Sequence, residues 1–67
     1  MSPKRLGQVL KALREDKGLS QVELANKAKV ERTYIVKRES GDKKNPSLDI
    51  LKKLAKALGV PVTELLE

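Results

Sequence analysis

The sequence predicts an all-α fold, a compact five-helix bundle, and three observations support this prediction. Apolar residues recur every three or four positions along the chain, which is the spacing of a helix face that packs against a core. Serine residues that can cap a helix precede these stretches, and glycine residues that can end a helix follow them. No stretch alternates apolar and polar residues as a β-strand does. The 67 residues suit a single domain, which we expect to span residues 1–67.

The first helix is expected to run from Pro3 to about Lys17. Ser2 can cap its start, and Pro3 suits the first helical position because the N–H group that proline lacks has no helical partner there. Gly18 can adopt the left-handed conformation that closes a helix. The face turned to the core then consists of Leu6, Val9, Leu10 and Leu13.

Two short helices follow, with little chain between them. Ser20 and Glu23 have the spacing of a capping box, so the second helix should run from Gln21 to Ala28. A third helix is expected from about Arg32 to Ser40, where apolar spacing resumes among long polar and basic side chains. This pair has the layout of a helix-turn-helix, a motif that lays its second helix in the major groove of DNA.

The fourth helix has the strongest apolar face of the chain, and the polar loop 41–46 precedes it. Ser47 can cap its start, and Gly59 ends it. Pro61 cannot continue this helix but can open a last short one, from Val62 to Leu66. The apolar face of the fourth helix consists of Leu48, Leu51, Leu54, Ala55 and Leu58.

The composition excludes several classes of protein. Fifteen Lys and Arg against nine Asp and Glu give a formal net charge of +6, which favours an acidic partner, although a well-solvated helical surface also accounts for it. The chain has no Cys and no His, so we expect no metal, no cofactor and no histidine-based catalysis. No apolar run is long enough to cross a membrane and no secretory signal is present, so we expect a soluble cytoplasmic protein. Tyr34 is the one aromatic residue, which leaves no platform for stacking the bases of a single strand.

Several short segments form a specific pattern by their order and spacing. They are Leu13-Arg14, Lys17–Gln21, Glu23–Ala25, Tyr34-Ile35, Glu39–Gly41, Asn45–Leu48 and Leu54–Val60. The pattern resembles the phage-repressor-like helix-turn-helix proteins, the Cro/C1-type or XRE family of transcriptional regulators. This family includes bacterial repressors, antitoxins and restriction-modification controller proteins. The similarity covers residues 6–66.

The resemblance assigns positions at the start and on the outer side of the third helix to base reading. Arg32 can form a bidentate pair with O6 and N7 of guanine, and Thr33 can meet a thymine methyl group or a phosphate. Lys37 can reach either a guanine or a phosphate. The assigned positions are Glu31, Arg32, Thr33 and Lys37.

A second set of positions matches the family's contacts to the phosphate backbone. Gln21 begins the second helix, whose free N–H groups attract an anion, and in the family this residue also braces the recognition helix. Tyr34 can direct its hydroxyl group to a phosphate, or it can only pack its ring on the edge of the core. The full set is Gln21, Tyr34, Lys43, Lys44, Asn45 and Ser47.

Two further sets of residues are architectural. Arg14 and Glu39 match a shielded ion pair of the family that joins the first helix to the end of the third. Apolar residues of the fourth and last helices either form a dimer patch or simply close the core. These residues are Ile50, Val60, Val62, Leu65 and Leu66.

Two residues depart from the family's pattern. Lys29 lies in the turn where the family usually has Gly, and the left-handed conformation costs a side chain about 1 kcal/mol. Arg38 stands where the family has an aliphatic core residue, so it is either an introduced change or an adaptation in which the head group escapes to solvent. The other ways to accommodate it are pairing with a carboxylate and a shift of the third helix, because an unpartnered buried guanidinium is strongly unfavourable.

Together these features predict a sequence-specific double-stranded DNA-binding transcriptional regulator, a repressor without enzymatic activity, that reads the major groove with its third helix. The resemblance implies a homodimer on a palindromic operator, with no metal and no membrane as partners. Two other classes stay open. One is an antitoxin-like protein-interaction module in which DNA binding is secondary. The other is a basic bundle that binds RNA or a membrane surface, although the deep, narrow groove of A-form RNA suits a helix less well.

Overall fold

Helices account for most of the residues 3–41 and 47–66, which are the part of the chain that the computed structural model describes. In order, they are α1 (Pro3–Asp16), α2 (Gln21–Ala28), α3 (Arg32–Glu39), α4 (Leu48–Leu58) and α5 (Thr63–Leu66). The predicted all-α fold is confirmed. Each helix begins and ends within about one residue of the predicted bounds, because caps and glycines are local signals.

One hydrophobic core lies between the helices. α3 packs against α1 and α2, α4 packs against α2 and α5, and α5 also contacts α1. Leu48 was expected on the core face, but it is 51% exposed, because the first residue of α4 extends beyond the edge of the core. The largest buried side chains are Leu6, Leu10, Leu24, Ile35, Leu51, Leu54, Leu58 and Leu65.

The starts of α2 and α4 are capped as predicted, whereas Ser2, the predicted cap of α1, lies outside the described residues. The Ser20 hydroxyl accepts a hydrogen bond from the Glu23 N–H (3.0 Å), and the Glu23 carboxylate accepts one from the Ser20 N–H (2.8 Å). This capping box holds the pKa of Glu23 below its usual value. At the start of α4, the Ser47 hydroxyl accepts a hydrogen bond from the Ile50 N–H at 3.1 Å. Both caps leave other N–H groups at these helix starts without a helical partner.

The ends of α1, α2 and α4 share one hydrogen-bond pattern. In each, a residue with positive φ follows the helix, and these residues are Gly18 (φ 70°), Lys29 (φ 59°) and Gly59 (φ 70°). The next N–H group then donates to the carbonyl oxygen five residues earlier, at 3.0 Å in all three turns. The predicted left-handed conformation of Lys29 is therefore confirmed, and this side chain occupies a position that glycine takes at the other two ends.

Gly7 lies at a close crossing of α1 and α3. A Cβ atom at this position would collide with the carbonyl oxygen of Arg38, which belongs to the backbone and cannot turn aside as a flexible side chain can. The last turn of α3 therefore stays close to α1 only because residue 7 has no side chain. Sequence analysis did not single out this glycine, because its partner lies about thirty positions away in the chain.

The first prediction concerns this crossing. Gly7→Ala should lower the free energy of unfolding by about 1–3 kcal/mol, because the added methyl group forces the two helices apart. The sign is informative, since alanine in place of glycine stabilises an unobstructed helix by about 1 kcal/mol. Urea unfolding followed by circular dichroism measures the effect, with the exposed neighbour Gln8→Ala as control. An equal or higher stability of Gly7→Ala would contradict the close crossing.

Candidate nucleic-acid interface

α3 has two faces of different character. Ile35 and Arg38 are buried against the other helices. Arg32, Thr33 and Lys37, which the sequence assigned to base reading, are all exposed, and Thr33 and Lys37 lie about one helical turn apart. A basic and hydrogen-bonding stripe therefore points outward from the helix.

Glu31, the fourth residue assigned to base reading, is exposed at the start of α3. It occupies the N-cap position, but its side chain does not cap the helix. Its carboxylate instead accepts a long hydrogen bond of 3.4 Å from the Thr33 hydroxyl. The first N–H groups of α3 consequently remain available to an anion or to a base edge.

Arg38 does not escape to solvent, so that alternative is wrong, and an introduced change at this position stays a hypothesis. The residue is 3% exposed, and its guanidinium carbon lies 5.2 Å from the centroid of the Tyr34 ring. Tyr34 precedes Arg38 by one helical turn, so the two side chains project from the same side of α3. The electron-rich face of the ring provides one partner for the charge inside the protein.

Tyr34 is half-buried, and its hydroxyl oxygen is buried without a hydrogen-bond partner among the described residues. A phosphate contact by this hydroxyl is not available in this conformation, whereas the alternative, packing of the ring at the core edge, is present. Burial raises the pKa of Tyr34 above its ordinary value of 10.0, and the charge of Arg38 opposes part of the rise.

The ion pair between Arg14 and Glu39 connects α1 to the end of α3. Arg14 Nε donates to Glu39 Oε2 at 2.7 Å, and a terminal guanidinium nitrogen donates to Oε1 at 2.9 Å. The two side chains are 10% and 5% exposed, so the pair is shielded from water. Its hydrogen bonds raise the pKa of Arg14.

Two more residues join this ion pair. The remaining guanidinium nitrogen of Arg14 donates to the Leu19 carbonyl oxygen at 2.8 Å, in the turn between α1 and α2. The Gln21 side-chain amide, at the start of α2, donates to Glu39 Oε1 at 3.2 Å. Gln21 thus links the beginning of α2 to the end of α3, and the position predicted to brace the recognition helix does so in this structure.

Of the other residues predicted to contact phosphate, one caps a helix and three are not among the described residues. Ser47 is exposed, but its hydroxyl is engaged in capping α4. Lys43, Lys44 and Asn45 lie outside the described residues. The described start of α4 therefore offers an anion its free backbone N–H groups and the hydroxyl hydrogen of Ser47, because the cap uses the Ser47 oxygen only as an acceptor.

The residues of the predicted dimer patch do not share one environment. Leu65 is 2% exposed and belongs to the core, so for this residue the alternative of closing the core applies. Ile50, Val60 and Val62 are half-buried and pack against the core from its edge. The side chain of Leu66 lies outside the described residues.

Sequence analysis missed a basic cleft between α2 and α4. It is shallow, has a volume of about 430 Å³ and contains four lysines but no acidic residue. The two helices that form it are distant in sequence, so no local motif marks it. The lining residues are Lys27, Ala28, Lys29, Lys53, Lys56 and Ala57.

The two short helices, the tight turn between them and the outward stripe of the second define a helix-turn-helix protein. The helix-turn-helix family model matches residues 10–65. The chain therefore belongs to the phage-repressor-like, Cro/C1-type helix-turn-helix family. Within the described ranges, none of the helices has the length and apolar character needed to cross a lipid bilayer.

Two relatives are similar in sequence. The immunity repressor protein of Bacillus phage phi105 is 45% identical over 58 residues, which cover 87% of this chain and 40% of that protein. The HTH-type transcriptional regulator SinR of Bacillus subtilis is 40% identical over 62 residues, which cover 92% of this chain and 56% of that protein. The chain thus spans about half the length of these relatives.

The solved structures that share the fold include two that align with nearly all of this chain. The restriction-modification controller protein C.AhdI from Aeromonas hydrophila superposes with a TM-score of 0.88 at 41% identity, covering 94% of each chain. SinR, the master regulator for biofilm formation, in complex with DNA superposes with a TM-score of 0.88 at 40% identity, covering 92% of this chain and 98% of that chain.

The second prediction concerns the ion pair. Glu39→Leu should lower the free energy of unfolding by about 3–5 kcal/mol, because it leaves the charge of Arg14 buried without its partner. The double variant Arg14→Leu/Glu39→Leu should recover part of this loss, since no buried charge remains. Urea unfolding of the parent and of both variants gives the comparison. If the double variant is less stable than Glu39→Leu, the shielded charge is not the cause.

The third prediction concerns the titration of Tyr34. Because its pKa is raised in the folded state, the folded protein holds the phenolic proton more tightly than the unfolded chain does. This contribution to stability is complete below about pH 10 and is lost as the pH rises through the folded pKa. Tyr34 is the only aromatic residue, so the tyrosinate absorbance reports on Tyr34 alone. Its pH titration in buffer gives the pKa of the folded protein, and the same titration in urea gives that of the unfolded chain.

Two variants separate the causes of that shift. Arg38→Leu removes the charge that lowers the pKa of Tyr34 and should raise this pKa further. Lys37→Leu removes an exposed neighbouring charge and should leave it nearly unchanged. Equal titration midpoints in buffer and in urea would show that Tyr34 is not held in the buried position.

Proposed function

We propose that the chain is a sequence-specific double-stranded DNA-binding domain of a transcriptional regulator, a repressor without enzymatic activity that acts in the cytoplasm. The observation that carries the proposal is the two-faced α3, with Arg32, Thr33 and Lys37 exposed while Ile35 and Arg38 are buried. A helix presented in this way fits the major groove, where it can reach base edges. The domain comprises residues 1–67 and uses no metal or cofactor.

Base reading would be divided among the exposed residues of α3. Arg32 is the best reader, because its planar guanidinium can contact O6 and N7 of one guanine together. Thr33 offers a methyl group to thymine, or its hydroxyl to a phosphate after release from Glu31. Lys37 would reach a guanine or a phosphate as a single positive charge.

The helix starts would anchor the domain on the phosphate backbone. The starts of α2 and α4 each present free N–H groups beside a serine cap, and a helix N-terminus attracts anions. Gln21 stands at the first of these starts, and Lys43, Lys44 and Asn45 precede the second in the sequence. The net charge of +6 would add an attraction that does not depend on the DNA sequence.

The relatives support this proposal. One of them is named as an immunity repressor, and the structure of another contains DNA. We further propose a homodimer on a palindromic operator, with reading helices one DNA turn, about 34 Å, apart. The half-buried Ile50, Val60 and Val62 are candidates for the contact between the two copies. Light scattering on the protein with and without duplex DNA tests this assembly.

A second candidate function is an antitoxin-like or other protein-interaction module in which DNA binding is secondary. The basic cleft between α2 and α4 favours it, because none of its four lysines forms an ion pair with a carboxylate within residues 3–41 and 47–66. An acidic segment of another protein would complement such a cleft.

Selection of bound duplexes from a random pool distinguishes the two functions. The DNA-reading function is expected to give a consensus sequence at physiological salt. Binding without any sequence preference, even at low ionic strength, would refute it and would favour the protein-interaction module.

The fourth prediction separates base readers from anchors. Arg32→Ala should weaken binding to the selected duplex by about 1–3 kcal/mol and relax the preference at one base pair. Lys43→Ala should weaken binding to all duplexes to a similar extent and reduce the salt dependence by about one unit. Titration of selected and scrambled duplexes at several salt concentrations measures both effects. Equal losses of both variants on both duplexes would refute the division of roles.

A further inference from the structure

Val36 is an apolar residue exposed in the middle of α3. Its exposed fraction is 38%. A β-branched residue is a weak helix former, and its exposed methyl groups gain nothing from contact with water. Helix propensity therefore does not account for a valine at this position, and Val36 is not among the residues that pack against the core.

The neighbours of Val36 are the residues proposed to contact DNA. Val36 follows Arg32 by four positions and Thr33 by three, so the three side chains share one side of the helix. Lys37 is the next residue and is also exposed. Val36 is thus an apolar spot within a stripe that is otherwise charged or hydrogen-bonding.

We propose that Val36 determines part of the DNA sequence specificity, by contacting the C5-methyl group of a thymine in the major groove. This inference rests on the proposed function. A base pair containing thymine displays that methyl group in the major groove, and no other standard base carries one there. The methyl groups of valine can exclude water from it but form no hydrogen bond, so they favour thymine over cytosine at the contacted position.

Val36 is placed to face the bases, unlike the other large exposed apolar side chains. In the described residues, the other large side chains of this kind are Val22 on α2 and Leu48 at the start of α4. Both stand on helices that we propose to meet the phosphate backbone, so we expect neither of them to contact a base. Val22, which is 46% exposed, therefore provides a matched control for Val36.

The test replaces thymine with uracil, which lacks only the methyl group. Each thymine of the selected duplex is replaced in turn, and binding of the parent, Val36→Ala and Val22→Ala proteins is measured. For the parent, uracil at one thymine per half-site should weaken binding about fourfold, the effect of one buried methyl group. For Val36→Ala the same replacement should have no effect, whereas Val22→Ala should behave as the parent. Alanine is a better helix former than valine, so Val36→Ala is expected to fold, and circular dichroism verifies this.

The possible results separate the inference from the proposed function. If no consensus is selected, the proposed function fails, and this inference fails with it. If the selected consensus contains no thymine, only the inference is overturned. The same holds if replacing thymine with uracil weakens the binding of Val36→Ala as much as that of the parent at every thymine. Equal loss of the methyl effect in Val22→Ala would also overturn it.

Discussion

The ion pair between Arg14 and Glu39 is the interaction on which the position of α3 depends. Glu39 ends α3, and its carboxylate accepts hydrogen bonds from Arg14 on α1 and from Gln21 at the start of α2. Arg14 also donates to the Leu19 carbonyl in the connecting turn. Both charges are shielded from water, so each is stabilised mainly by the other. Separating the three helices would leave a buried charge without its partner or would expose the pair to water. The pair therefore fixes the angle at which the outward side of α3 is presented.

The inner side of α3 shows how the helix tolerates a second buried cation. Arg38 lies over the ring of Tyr34, and the ring is the only aromatic surface that the chain possesses. The backbone of the same residue lies against Gly7, where α1 crosses. A buried charged side chain and a close backbone contact thus meet at the last turn of α3. Small changes there would alter the tilt of the helix, and so the bases that its outer side could reach.

Some polar groups on the surface hold the helix ends in place, and others are available to bind a partner. The serine hydroxyls at the starts of α2 and α4 are used in caps, which leaves backbone N–H groups for an anion. The lysines of the cleft between α2 and α4 have no acidic neighbour in its lining and contribute a positive field. Such a field accelerates the encounter with a polyanion, whereas the stripe would supply selectivity.

The sequence alone determined where the helices begin and end. The capping residues and the helix-ending glycines act on neighbours within a few positions, so the helix bounds could be predicted without knowing the fold. These residues are Ser20 with Glu23, Ser47, Gly18 and Gly59. The ion pair and the exposed residues of α3 were found through the resemblance of the sequence to a family. Only the tertiary structure decided the rest. The burial of Arg38, the crossing at Gly7 and the lysine cleft depend on which helices meet and how closely, and these contacts join residues whose separation along the chain leaves no periodic or local signal.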